Sequence, residues 1–313
     1  MKKLIATLLV LVLSMALVCS AYAADITIGY ATKSSSSPFW VENIKGAEAK
    51  AKELGVTLKV IGPPVENDVF GQIAVIEDMN RSGCDAIVVA PCGDVGVADV
   101  VTKVLDEGKP VIAVDNAITG VDIPLVATDN YAAGEMAAKF IADSVGGKGK
   151  VVIVNGIIAQ GSGKGRRDGF VEYMTANHPE ITVVEVTGDW DDQKALAGFE
   201  AAYETNKDIV GGYAAWDGAT LQMHKVLTQN GRDDVVLCGF DAYDAAVKLI
   251  HAGDPLFKGD IAQNPANMGA TAVQAAYDAI NKVEVASAID TGTTLVTSEN
   301  VEEYATAMGV ELK

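Results

Sequence analysis

Ile26-Thr27-Ile28-Gly29-Tyr30, then Trp40, Ile44, Ala47, Ala51 and Leu54 at helical spacing, then Val56-Thr57-Leu58-Lys59-Val60-Ile61 form the stretch that decides the fold. Two short apolar, β-branched runs bracket a segment whose apolar residues recur every three or four positions. The runs read as buried strands and the segment between them as an amphipathic helix. Strand, helix and strand in that order form a right-handed crossover between parallel neighbours. Working outward, Val69, Phe70, Ile73, Ile76 and Met79 again keep one helical face, and further apolar runs lie at 86–90, 111–114, 151–154, 183–186, 209–214 and 235–237. The predicted class is α/β, and the pattern plays through twice, once before about Thr128 and once after. Two similar, doubly wound parallel-sheet lobes follow, joined by short connections rather than a floppy tether.

The amino end sets the compartment. Lys2 and Lys3 lead into an apolar run over 4–18 that closes on Ala21-Tyr22-Ala23, the pattern of a secretory signal peptide cut after Ala23. That run is short for a bilayer span, so the mature chain is expected in the periplasm. The alternative is the outer cell surface, lipid-anchored at Cys19, although Val18 stands where such sites want Gly, Ala or Ser. Export leaves about 290 of 313 residues, more than one core usually serves. Acidic residues number 42 against 24 basic ones, for a formal net charge of −18, which disfavours nucleic acid and anionic lipid as partners. Cys84, Cys92 and Cys238 sit beside or within apolar strands and read as buried thiols. His178, His224 and His251 are scattered without ligand-like spacing, so neither metal nor cofactor is expected.

In an open parallel sheet, ligands gather outside the carboxyl ends of the strands. The first strand is followed by Ser37-Pro38-Phe39-Trp40, with Pro placed to open a helix, and the fourth by Asp115-Asn116. The strand ending at Asn155 leads into a Gly-rich segment, Gly161-Ser162-Gly163-Lys164-Gly165, read as a loop, and then Arg166. Later strand ends carry Trp190, Trp216-Asp217, Asp241 and Gln263. A carboxylate accepts two hydroxyl protons and Arg donates a planar fork, so each fixes neighbouring hydroxyls, while aromatic faces cover C–H surface. The mixture suits a polyhydroxylated ligand. Taken singly, Asp217 reads as a helix cap, Asp115 as a turn residue, and Trp190 or Phe39 as core.

Competing motifs fail on spacing. Ile158 holds the first Gly position of a phosphate-binding G-x-x-x-x-G-K-[ST] loop, and Gly165 follows Lys164. Gln160 stands where a hydrolase elbow around Ser162 needs Gly. Asp189-Trp190-Asp191-Asp192 lacks the Gly and distal Glu of a calcium loop.

Ser37-Pro38-Phe39-Trp40, Val114-Asp115-Asn116, Thr128-Asp129-Asn130, Arg166-Arg167-Asp168-Gly169-Phe170, Gly239-Phe240-Asp241 and Ile261-Ala262-Gln263-Asn264-Pro265 together carry a resemblance. Over essentially its whole mature length the chain resembles the type I periplasmic sugar-binding proteins of the ribose and galactose group. The resemblance implies that Phe39 and Trp40 sandwich a sugar against Trp190, and that Asp115, Arg166, Asp241 and Gln263 bind hydroxyls. It also implies a three-crossover hinge near Thr128, Gln263 and Gly292. The expected division is a signal peptide at 1–23, an amino-terminal lobe of 24–128 plus 264–291, and a carboxy-terminal lobe of 129–263 plus 292–313.

Departures lie at Ser37, Ala90, Asn116 and Trp216, where ribose binders carry Asn, Asn, Arg and Asn. Loss of the Arg clamp at Asn116 and the bulk of Trp216 point to a smaller or acyclic ligand, a tetritol, pentitol or modified pentose, with Ala90 making room for the Trp216 indole. The expected site is therefore Ser37, Phe39, Trp40, Asp115, Asn116, Arg166, Trp190, Trp216, Asp241 and Gln263. The expected partners are a small neutral sugar or polyol and an ABC permease, with chemoreceptor docking left open and a monomer as the working unit. Three alternatives stand beside this. One is a nucleoside or cationic amine in an aromatic cage, against which Arg166 argues. The others are an exported α/β enzyme and a regulatory domain, whose DNA-binding helix-turn-helix would have to stand where the signal peptide is.

Overall fold

The computed structural model describes residues 26–63 and 67–312. The expected signal peptide, its expected cut after Ala23 and Cys19 lie outside the described residues. Two six-stranded sheets are each wrapped by helices. The first contains β1 (Thr27–Ala31), β2 (Thr57–Ile61), β3 (Ala86–Val89), β4 (Val111–Val114), β5 (Leu125–Ala127) and β11 (Ala288–Asp290), in the order β11-β5-β4-β3-β1-β2. The second contains β6 (Gly149–Asn155), β7 (Ile181–Thr187), β8 (Ile209–Ala214), β9 (Val236–Phe240), β10 (Phe257–Ala262) and β12 (Thr294–Thr297), in the order β12-β10-β9-β8-β6-β7. One order repeats the other strand for strand. All pairings are parallel except β10 with β12, which is antiparallel.

Period-two burial fixes what covers each face. Val151, Ile153 and Tyr213 pack under α4 (Asn130–Ser144) and α5 (Gly161–Asn177). Val152, Val154 and Ala214 point the other way, against α6 (Asp192–Thr205) and α7 (Asp217–Gln229). In the first sheet Tyr30, Val88 and Val114 face α1 (Pro38–Leu54) and α9 (Pro265–Ile280), while Ala31, Ile87 and Val89 face α2 (Val69–Arg81) and α3 (Ala98–Asp106). Two further helices, α8 (Asp244–His251) and α10 (Val301–Met308), close the far edge of the second lobe.

Helix α1 starts at Pro38, whose missing N–H costs nothing at that position, and stops at Gly55, whose φ of 70° lets its amide return to Ala51 and Lys52. Phe70 departs from the expected helical face: it is 86% exposed, because α2 buries Gln72, Ile76 and Met79 and Phe70 lies about 100° round the helix from Val69. The Gly-rich segment 161–165 is also not a loop; it is the first turn of α5. Of its glycines Gly165 serves helix packing, as do Gly134 and Gly169, while a Cβ on Gly163 would stand 2.2 Å from the Ile157 carbonyl oxygen of the preceding loop. A Cβ on Gly169 would stand 2.1 Å from the Tyr131 carbonyl, and one on Gly134 would stand 2.5 Å from that of Arg166, so α4 and α5 touch backbone to backbone.

The chain passes from the first sheet to the second after β5, returns after β10, and crosses again between β11 and β12. Two of these passages are tied together, since Thr128 Oγ1 donates to Gln263 Oε1 at 2.8 Å.

Candidate functional site

The carboxyl ends of both sheets open onto one cavity of about 460 Å³, a size suited to a small ligand. Nine of the ten expected residues line it: Ser37, Phe39, Trp40, Asp115, Arg166, Trp190, Trp216, Asp241 and Gln263. Asn116 does not. It turns away, donating from Nδ2 to Asp115 Oδ2 (3.0 Å) and accepting at Oδ1 from the Ser162 amide (2.6 Å) of the opposite lobe. A short amide at this position cannot reach past Asp115 but can reach a helix end.

Two buried cation–carboxylate pairs face each other across the cavity. From the first lobe, Lys33 Nζ donates to Asp115 Oδ2 at 2.6 Å, with both side chains at most 7% exposed. From the second, Arg166 Nη1 stands 3.8 Å from Asp241 Oδ1. Arg166 is held rigidly: Nε donates to Asn130 Oδ1, Nη1 donates to the Ala215 carbonyl, and the guanidinium lies 3.7 Å over the Phe240 ring. Two of its five N–H groups are thus used on protein, leaving others for a ligand. Gln263 Nε2 donates to Asp241 Oδ1 at 2.6 Å, fixing that carboxylate. Burial pushes the Asp241 carboxyl up to about 6, against the opposing pull of Arg166 and Gln263.

The backbone is bent to aim these groups. Asp115, Trp190 and Asp241 have φ of 69°, 62° and 103°, conformations that side chains other than glycine rarely adopt and that gather at binding sites. The turn at Asp241 is held from behind. Asp217, first residue of α7 and fully buried, accepts from the Phe240 and Tyr243 amides, and Asp260 accepts from the Ala242 amide. Asp217 therefore caps the turn that carries Asp241 rather than its own helix, whose N-cap is Trp216. Burial and mutual repulsion hold the Asp217 carboxyl well above the usual carboxylate range, and burial pushes Asp260 up to about 7.

Aromatic walls complete the cavity. Phe39 and Trp40 meet edge to face at 5.0 Å on one side, and Trp190 and Trp216 do so at 5.5 Å on the other. Trp216 donates from Nε1 to Asp192 Oδ1 at 2.8 Å. Its space comes from Gly188, where a Cβ would stand 2.5 Å from the indole. Ala90, expected to make that room, packs in the first lobe's core with Trp40, whereas Trp216 packs in the second lobe's. Lys33, Gln160, Asp192 and Tyr243 line the cavity without having been read from the sequence. Tyr243 sits two residues past Asp241 and Lys33 two residues past the end of the first strand, which are the signals that could have found these two.

Residues 28–284 match the model of the periplasmic binding protein domain. The chain belongs to the periplasmic binding proteins. This family consists of binding proteins for ABC transport rather than enzymes. The chain is 32% identical to the D-allose-binding periplasmic protein of Escherichia coli over 79% of its own length and 82% of that protein's. It is likewise 32% identical to the ribose import binding protein of Haemophilus influenzae, over 93% and 98%. Among solved structures, it is similar to an ABC transporter solute-binding protein of Mycobacterium smegmatis with bound glycerol, with a TM-score of 0.84 and 28% identity over 90% of this chain and 96% of that one.

Proposed function

We propose that the cleft captures one small neutral sugar or polyol and that the binding protein delivers it, as a monomer, to an ABC permease. The observation that carries this reading is the pairing of Lys33–Asp115 with Arg166–Asp241 across a cavity walled by Trp40 and Trp190. Each pair presents a carboxylate that accepts and a cation that donates, which matches vicinal hydroxyls; the rings cover the C–H faces between them. Lys33 balances Asp115 and Arg166 balances Asp241, so a neutral ligand leaves both pairs compensated, and a ligand lacking one hydroxyl strands a buried partner. The volume taken by Trp216 favours a tetritol, pentitol or modified pentose over a hexose. The lobes close by bending at 128–129, 263–264 and 291–293. The site of action is the periplasm, by the signal peptide at 1–23, with docking to a chemoreceptor as a second use of the closed form.

A thermal-shift screen of the chain from Ala24 onward tests this, against erythritol, xylitol, D-ribose, D-allose, a nucleoside and a small amine. Binding to the native state alone raises the melting temperature. A rise with a polyol or sugar, lost in Asp241→Ala, supports the reading; rises only with the amine or nucleoside would overturn it.

A further inference from the structure

Gln160 occupies the N-cap position of α5, yet its side chain makes no cap. It is 2% exposed, and its amide is spent elsewhere. Nε2 donates to the Cys92 carbonyl and to Asn67 Oδ1, both at 2.8 Å and both in the first lobe. Oε1 accepts from Trp190 Nε1, also at 2.8 Å. One amide thus joins the aromatic wall of the cavity to the opposite lobe, and only an amide fits, because the site needs two donors and an acceptor on one planar group.

The α5 terminus left uncapped by Gln160 is capped from across the cleft. The Ser162 amide donates to Asn116 Oδ1 at 2.6 Å, and Asn116 Nδ2 donates in turn to Asp115 Oδ2, the carboxylate that faces the cavity. Two short chains of hydrogen bonds therefore run from ligand-facing groups to the seam between the lobes: Trp190 to Gln160 to Cys92 and Asn67, and Asp115 to Asn116 to Ser162. Opening the lobes breaks the seam end of both. Trp190 is seated closely against Gly156, where a Cβ would stand 2.2 Å from its ring, so the indole has one place from which it can hold Gln160.

We propose that Gln160 is a positioning residue that couples ligand stacking on Trp190 to lobe closure, with Asn116 capping α5 in trans as its counterpart. The ligand part of this rests on the proposed sugar or polyol site; the lobe seam does not.

Gln160→Glu tests it, since it keeps an acceptor for Trp190 but removes both donors to the first lobe. Stopped-flow tryptophan fluorescence with xylitol, D-ribose and D-allose is expected to show release accelerated about ten- to a hundredfold, the loss of two buried hydrogen bonds, with the association rate little changed. Hydrogen exchange without any sugar is expected to show the Ser162 amide exchanging several-fold faster, because its acceptor lies in the other lobe. Gln160→Met, of similar volume, serves if the Glu variant does not fold. Wild-type release and wild-type Ser162 exchange in a folded variant would overturn the coupling. If none of the three probes binds the wild type but Ser162 exchange still rises in the variant, the ligand reading fails and the latch between lobes stands.

Discussion

Asp241 makes ligand affinity depend on pH. Its side chain is 7% exposed, and burial raises its carboxyl to about 6. Gln263 and Arg166 both address Oδ1, and the residue lines the cavity, where its carboxylate is the acceptor for ligand hydroxyls. Acceptance of two hydroxyl protons requires the ionised form. Affinity is therefore full above the pKa and lost as pH falls through about 6. At about pH 7.5 nearly all of the carboxyl is ionised and at about pH 5 roughly a tenth is, so affinity should weaken about tenfold, or ~1.4 kcal/mol, between them. Calorimetric titration of the tightest-binding member of the polyol and sugar series, at half-unit intervals from about pH 5 to 8, reads this directly. Asp241→Asn should bind about tenfold more weakly near neutrality, having lost a charge-assisted bond, and should show a flat profile. A wild-type affinity constant across this range, or a slope that persists unchanged in Asp241→Asn, would refute the reasoning.

Asp260→Asn should change the pH dependence of stability. A carboxyl raised by burial to about 7 gives stability that is complete below the unfolded value near 4 and is lost as pH rises through about 7, so in urea melts the variant should gain on the wild type between about pH 5 and 8. Gly169→Val drives a side chain into the Tyr131 carbonyl 2.1 Å from its Cβ. It should cost about 3 kcal/mol and lower the melting temperature by roughly 5–10 °C in calorimetry. Arg166→Lys retains the charge but cannot hold Asn130 and the Ala215 carbonyl while stacking on Phe240. Titration should show binding weaker by about tenfold or more, with stability changed less.

Strands β1, β3, β4, β6 and β8 were legible because parallel strands covered on both faces are continuous apolar runs, the half-exposed edge strands β2 and β7 because they are rich in β-branched residues, and α1 because its buried residues recur at helical spacing. β10 was hidden by Lys258, Gly259 and Asp260 inside it, of which Asp260 is buried to hold the Asp241 turn. β5 and β11 have three residues each, too few to show a period. The segment 161–165 misled because glycine is a poor helix former, and the reasons for glycine there, the contact of Gly165 with α4 and of Gly163 with the Ile157 backbone, are set by packing. At the site, carboxylates and aromatics at strand ends were legible since every parallel strand delivers its successor residue to the same rim. Lys33 was not, because a lysine after a strand ordinarily points to water, and only the Asp115 carboxylate 2.6 Å away explains its burial. Asn116 was misplaced for the converse reason: its position matches a ligand-binding one, but its shorter side chain ends on Ser162.

The most direct test of a cleft built for a polyhydroxylated ligand is a crystal structure of the chain from Ala24 onward grown with the tightest binder among erythritol, xylitol, D-ribose and D-allose. The account predicts one molecule between Trp40 and Trp190, with hydroxyls bound by Asp115, Arg166, Asp241 and Gln263. A ligand seated outside that cavity, or inside it without contact to either carboxylate, would contradict it.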